Sequence, residues 1–245
     1  MIEQTVGIPT KDGATTTFIV HPERDGPHPV VLFFMDAPAI REELRDMARR
    51  IATAGYYVML PNLYYRSGVM ELADLPKVDE TAARKRMFEL MGSLSIPKVM
   101  DDGDALLNFA DRDPAASHRK VATLGYCMSG QYAINFAARY PERVAAAASI
   151  YGVQLVTDQA DSPHLAVQKT RAELYFACAE HDAYAPLEMV QALDQLVKSK
   201  NLNAEVELYP GVHHGFAFPQ RPVYDKAAAE RHWERLFALW RRRLG

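Results

Sequence analysis

Cysteine is scarce in this 245-residue chain, with Cys127 and Cys178 as its whole complement. Two thiols so far apart exclude a disulfide scaffold and a cysteine-rich zinc module. No pair of His or Cys residues has zinc-site spacing either, so no metal is expected. Long apolar runs are also missing. None approaches the ~18 residues that would span a membrane, and the opening MIEQTVGIPTKDG lacks the apolar core of a signal peptide. Excess charge of one sign is absent, since 28 Lys and Arg face 31 Asp and Glu for a net charge of −3. A nucleic-acid partner would call for a basic patch. Arg241, Arg242 and Arg243 form only a short run, which reads as a solvated helix end suited to the helix dipole. A reactive free thiol fits a reducing compartment, so a cytoplasmic location is expected.

Apolar residues make up 49% of the chain and charged residues 24%, as in an ordinary globular protein. Expected strands and helices alternate after an N-terminal hairpin. The hairpin strands cover 5–8 and 15–20 around Asp12-Gly13, a strong turn pair. Further strands are expected at 30–35, 56–60, 121–124, 144–151, 174–179 and 204–209, the last with edge-like alternation. Helices are expected at 41–54, 79–91, 97–112, after residue 130, at 186–200 and at 223–243. Residues 62–80 read as a loop over the site, and 152–172 as irregular. This order predicts a mostly parallel, doubly wound α/β sheet with an N-terminal β-hairpin, in one domain spanning 1–245.

The chain is organised around KVATLGYCMSG at 120–130. An apolar strand, a small–x–nucleophile–x–small turn and a helix together make the pattern of a nucleophile elbow. Gly125 and Ser129 fill the two small positions and put Cys127 at the apex. Ser129 is the rival nucleophile, but Gln131 would then occupy a small position. At a helix N-terminus the unpaired N–H groups and the dipole favour a thiolate. An inert buried cysteine is the competing reading.

In doubly wound sheets ligands lie at the carboxyl ends of strands. Asp36, Cys127, Asp182 and, one loop further on, His214 fall at such ends. Nucleophile, acid and histidine follow one another at 127, 182 and 214, the chain order of the α/β-hydrolase fold. Cys127 would attack a carbonyl, His214 would move the proton, and Asp182 would orient the imidazole. His213 competes with His214, and Asp182 could instead cap the helix near Pro186. The oxyanion would be held by the Met128 N–H and by an N–H after the strand at 30–35. Pro38 has none, which leaves Ala37.

These residues resemble the dienelactone hydrolase family. The likeness rests on GYCMSG at 125–130, Asp182 at a strand end, HHGF at 213–216 and PNLYYRSG at 61–68, and runs from about residue 3 to 240. It implies an α/β-hydrolase fold, a Cys-His-Asp triad, no cofactor and hydrolysis of a small-molecule ester or lactone. The type substrate is dienelactone, an intermediate of chlorocatechol breakdown. The HGF match selects His214 over His213. The family places a glutamate before the oxyanion loop, thought to hold the resting thiol. Asp36 stands there, one methylene shorter, as a thiol-regulating candidate. Family arginines bind a substrate carboxylate. Arg84 aligns with one, with Arg86 close by. The other is expected where Phe218 stands, and Arg221 follows three residues later. Arg84, Arg86, Arg221 and Tyr126 are therefore the substrate-binding candidates. A broad esterase or thioesterase, or a non-catalytic thiol sensor on the same fold, is the alternative.

Overall fold

A β-run becomes a strand where its apolar residues find cover on both faces, and the stretch HPVVLFF is covered along nearly its whole length. In the computed structural model, which describes residues 1–72 and 80–245, it is strand β3 (His28–Phe34). The chain packs as two compact units, Met1–Arg119 and Lys120–Gly245.

In the first unit β1 (Ile2–Thr10) and β2 (Gly13–His21) form the expected hairpin, with Thr10 opposite Gly13 across the Lys11-Asp12 turn. β4 (Tyr57–Pro61) runs antiparallel to β2 and parallel to β3, which gives the order β1-β2-β4-β3. Helix α1 (Glu42–Thr53) buries Leu44, Met47, Ala48 and Ile51 at helical spacing. Each large side chain so buried contributes roughly 1.5–3 kcal/mol. Helix α2 (Glu80–Gly92) matches the helix expected from residue 79, although residue 79 itself lies outside the described residues. So does the later part of the loop expected over 62–80. Its described part contains a 3-10 turn, Tyr65–Ser67. Helix α3 (Ile96–Ala110) is capped by Ser95, whose side chain accepts the Lys98 N–H. The buried Asp102 on α3 takes Tyr65 and a two-pronged Arg66, so part of PNLYYRSG acts as a clamp.

In the second unit β5 (Ala116–Tyr126), β6 (Val144–Ile150), β7 (Glu173–His181) and β8 (Ala204–His213) pair in parallel, in that order. The helices are α4 (Gly130–Arg139), a short α5 (Pro163–Ala166), α6 (Leu187–Ser199) and α7 (Lys226–Leu244). Three details differ from the sequence expectation. Residues 152–172 contain α5, started by Pro163. β8 continues to His213 instead of ending at 209. Arg242 and Arg243 are not merely solvated, because both clasp Glu173, at 2.5 and 2.6 Å.

Candidate active site

A tight strand-to-helix turn needs a residue without Cβ where two backbones meet. A Cβ on Gly125 would lie 2.0 Å from the Ser129 carbonyl oxygen, and one on Gly130 would lie 2.7 Å from the Gly152 Cα. Gly130 is thus a second obligatory glycine of the turn. Cys127 sits at the apex with φ 54°, a left-handed conformation that costs a non-glycine residue ~1–3 kcal/mol. It opens a 3-10 turn, Cys127–Ser129, that runs into α4. Ser129 is wholly buried, and Gln131 uses its amide to donate to the Met128 carbonyl at 3.0 Å.

Beyond the paired ends of β7 and β8 stand Asp182 and His214. His214 Nδ1 donates to Asp182 Oδ2 at 2.7 Å. Asp182 Oδ1 accepts the N–H groups of Tyr184 at 2.9 Å and Ala185 at 3.0 Å. The expectation of an α6 cap is thereby corrected. Asp182 holds the turn before α6, while Pro186 occupies the cap position itself. Cys127 stands close enough to His214 to act on its titration. Burial opposes a charged imidazole, but the bond to Asp182 and the negative charges of Asp182 and Cys127 outweigh it, and the pKa is pushed up to about 9. The Tyr151 and Tyr184 rings flank the imidazole, with centroids at 4.9 and 5.1 Å.

His213 goes elsewhere. It is exposed and lies opposite His181 in the β7–β8 pairing, with ring centroids 5.1 Å apart. Cys178 is buried within β7, and burial, followed by the charges of Asp182 and Asp194, pushes its thiol up to about 12. Such a thiol is no nucleophile at neutral pH.

The family model for dienelactone hydrolases matches residues 15–244, across both compact units. The chain belongs to the dienelactone hydrolase family. An Escherichia coli K12 protein named "Putative carboxymethylenebutenolidase" is 29% identical over 234 residues, covering 94% of this chain and 83% of its own length. A Synechocystis protein of the same name is 26% identical, covering 98% of this chain and 96% of its own. The crystal structure of a Klebsiella pneumoniae protein titled "Putative Dienelactone Hydrolase" superposes with a TM-score of 0.86 at 25% identity, over 98% of each chain. The fold is the α/β-hydrolase fold, mostly parallel with an antiparallel N-terminal hairpin. As a dienelactone hydrolase family member the chain is a hydrolase of the carboxylic-ester class.

The remaining candidates are placed as follows. Tyr126 is wholly buried. His232 Nδ1 bonds the Ala229 carbonyl, which can only accept, so Nδ1 carries the hydrogen. Nε2 must then accept, and the Tyr126 hydroxyl donates to it at 2.9 Å. Tyr126 therefore ties the elbow to α7, and its hydroxyl does not face solvent as expected of a substrate ligand. Arg221 lays its guanidinium over the Phe218 ring at 4.9 Å. Arg84 is exposed on α2, over Phe88 at 5.7 Å, and Arg86 reaches Glu89 at 3.4 Å. Asp36 is buried, with its two oxygens 2.6 and 3.2 Å from the Arg41 guanidinium. Ala37 offers its carbonyl to the Tyr64 hydroxyl at 2.9 Å. Tyr151 and His232 were missed by sequence reasoning. The only available signal for His232 was its helical spacing within the apolar stripe of α7, between Ala229 and Leu236. Among the described residues no group of three or more His, Cys, Asp or Glu could hold a metal ion, and no helix is long and apolar enough to cross a membrane.

Proposed function

We propose that the chain hydrolyses a carboxylic ester or lactone through a thioester on Cys127. The observation that carries this reading is the 2.7 Å bond from His214 Nδ1 to Asp182, on an imidazole whose titration Cys127 raises, with Cys127 held in a left-handed turn at a helix start. The thiolate attacks the acyl carbonyl and forms the C–S bond. The Met128 N–H, first after the nucleophile, and the Ala37 N–H are the proposed oxyanion donors. The alkoxide leaves with the proton of His214. In a lactone it stays attached as the far end of the opened chain. His214 then takes a proton from water, hydroxide adds to the thioester, and the acid product departs as the thiolate re-forms.

The cycle requires His214 to be charged first and neutral later. The causes of its raised pKa supply that change. The part due to Cys127 vanishes once the sulfur is acylated. Burial then opposes the charge against Asp182 alone, so the pKa falls and the imidazole gives up its proton more readily.

For a substrate carboxylate, Arg84, Arg86 and Arg221 are the candidate partners. A thiol-regulating Asp36 belongs to the same reading, as does a cytoplasmic location, where the thiol stays reduced. The carboxylate of Asp36 is paired with Arg41. Alkylation of wild type and Asp36→Asn by iodoacetamide from pH 5 to 9 tests it, and superimposable profiles remove the role. The central experiment is a panel of chromogenic esters and lactones, with and without a carboxylate, on wild type and Cys127→Ala. Turnover by wild type, no turnover by Cys127→Ala, and an acyl mass on Cys127 are expected. Full activity in Cys127→Ala would overturn the thioester.

A further inference from the structure

Asp182 and His214 meet because the β7–β8 register changes just before them. From Leu174↔Ala204 to Ala179↔Tyr209 the strands pair at an offset of 30, and at His181↔His213 the offset is 32. Three residues of β8, Pro210, Gly211 and Val212, therefore stand opposite the single Glu180. Continued at the first offset, β8 would set Val212 beside Asp182 and carry His214 past it. A shift of two preserves the alternation of faces, so side chains keep their sides of the sheet while the histidine moves by one pair. Bulges of this kind re-aim side chains.

Two features hold the bulge. Gly211 has φ 71°, a conformation glycine adopts freely, with open space around its Cα. The Gly211 N–H donates to Glu180 Oε2 at 2.6 Å, a short bond to a charged acceptor. The same carboxylate oxygen lies 3.8 Å from His181 Nε2.

We infer that Glu180 is a positioning residue of the site, since its carboxylate pins the Gly211 N–H and so locks the two-residue shift that delivers His214 to Asp182. The inference rests on the His214–Asp182 pair being the working base and its orienter. Glu180 touches no reacting atom and acts through the backbone of β8. Its side chain is half-exposed, so replacing it leaves the core intact.

The experiment compares Glu180→Ala, Glu180→Gln and Gly211→Ala with wild type by ester turnover and by the imidazole NMR titration of His214. Glu180→Ala should lower kcat roughly tenfold to a hundredfold, as small misplacements of reacting groups do, with KM little changed. It should also move the His214 titration down from about 9, because a strayed imidazole loses Asp182. Glu180→Gln, which keeps an acceptor oxygen, should stay within about fivefold of wild type. Gly211→Ala should resemble Glu180→Ala. A Glu180→Ala enzyme with wild-type kcat and wild-type His214 titration would overturn the inference, as would a drop in melting temperature with both readouts unmoved. Failure of the catalytic reading itself would look different, with His214→Ala retaining turnover.

Discussion

Asp182 gives one carboxylate oxygen to His214 Nδ1, at 2.7 Å, and the other to the backbone of its own turn at Tyr184 and Ala185. Asp182→Asn separates the two jobs. The amide oxygen can still accept both backbone N–H groups, while the NH2 group faces His214 and forces Nδ1 to accept. Nε2 then carries the proton and cannot receive one. Turnover should fall by ~10³–10⁴-fold with a melting temperature near wild type. Asp182→Ala should lose activity and stability together. An active Asp182→Asn would show that the tautomer of His214 does not matter.

The φ of 54° at Cys127 makes an unusual stability prediction. At most positions replacing Ala by Gly destabilises, through the entropy of the unfolded chain. Here Cys127→Gly should be at least as stable as Cys127→Ala, because the left-handed conformation costs alanine ~1–2 kcal/mol. Both should be inactive. Thermal unfolding of the two variants checks this, and Cys178→Ala serves as the control that keeps its turnover.

His214 supplies the pH prediction. Its pKa is raised from 6.5 to about 9, so the stability tied to its protonation is fully present below about pH 6.5 and is lost as pH rises through 9. The stability gap between wild type and His214→Asn should therefore shrink across that window. Alkylating Cys127 removes the sulfur's charge and should lower the His214 titration, as read by imidazole NMR. An unchanged titration after alkylation would mean that the thiolate does not hold the proton on His214.

The bond between the Tyr126 hydroxyl and His232 joins two wholly buried groups, residues 106 apart in sequence. Tyr126→Phe strands a buried acceptor and should cost about 1–3 kcal/mol. Adding His232→Leu removes the acceptor as well and should recover part of that loss. Urea titrations of the two single variants and the double variant form the cycle that measures it. Additive losses would show that the two groups are not coupled.

Much of this site is legible in sequence because its parts are local. The order of strands and helices follows from apolar runs and helical spacing. The elbow follows from Gly125 and Cys127, two positions apart, since the turn itself demands the small residue. The family follows from motifs spread over nearly the whole chain.

What the sequence could not decide depends on register and on long-range partners. His213 and His214 are adjacent and chemically identical. The pairing of β7 with β8 gives them different partners, placing His213 opposite His181 and leaving the next residue for Asp182. Local spacing left a helix cap open for Asp182; the structure instead gives one oxygen to the turn at Tyr184 and Ala185 and the other to His214, because a carboxylate has lone pairs enough for both. Tyr126 is a substrate-binding candidate by sequence, and only the packing of α7 turns its hydroxyl to His232. Chain-local periodicity determines which face of an element is apolar. Which two polar groups then meet is decided by how the strands slide against one another and by which helix covers them.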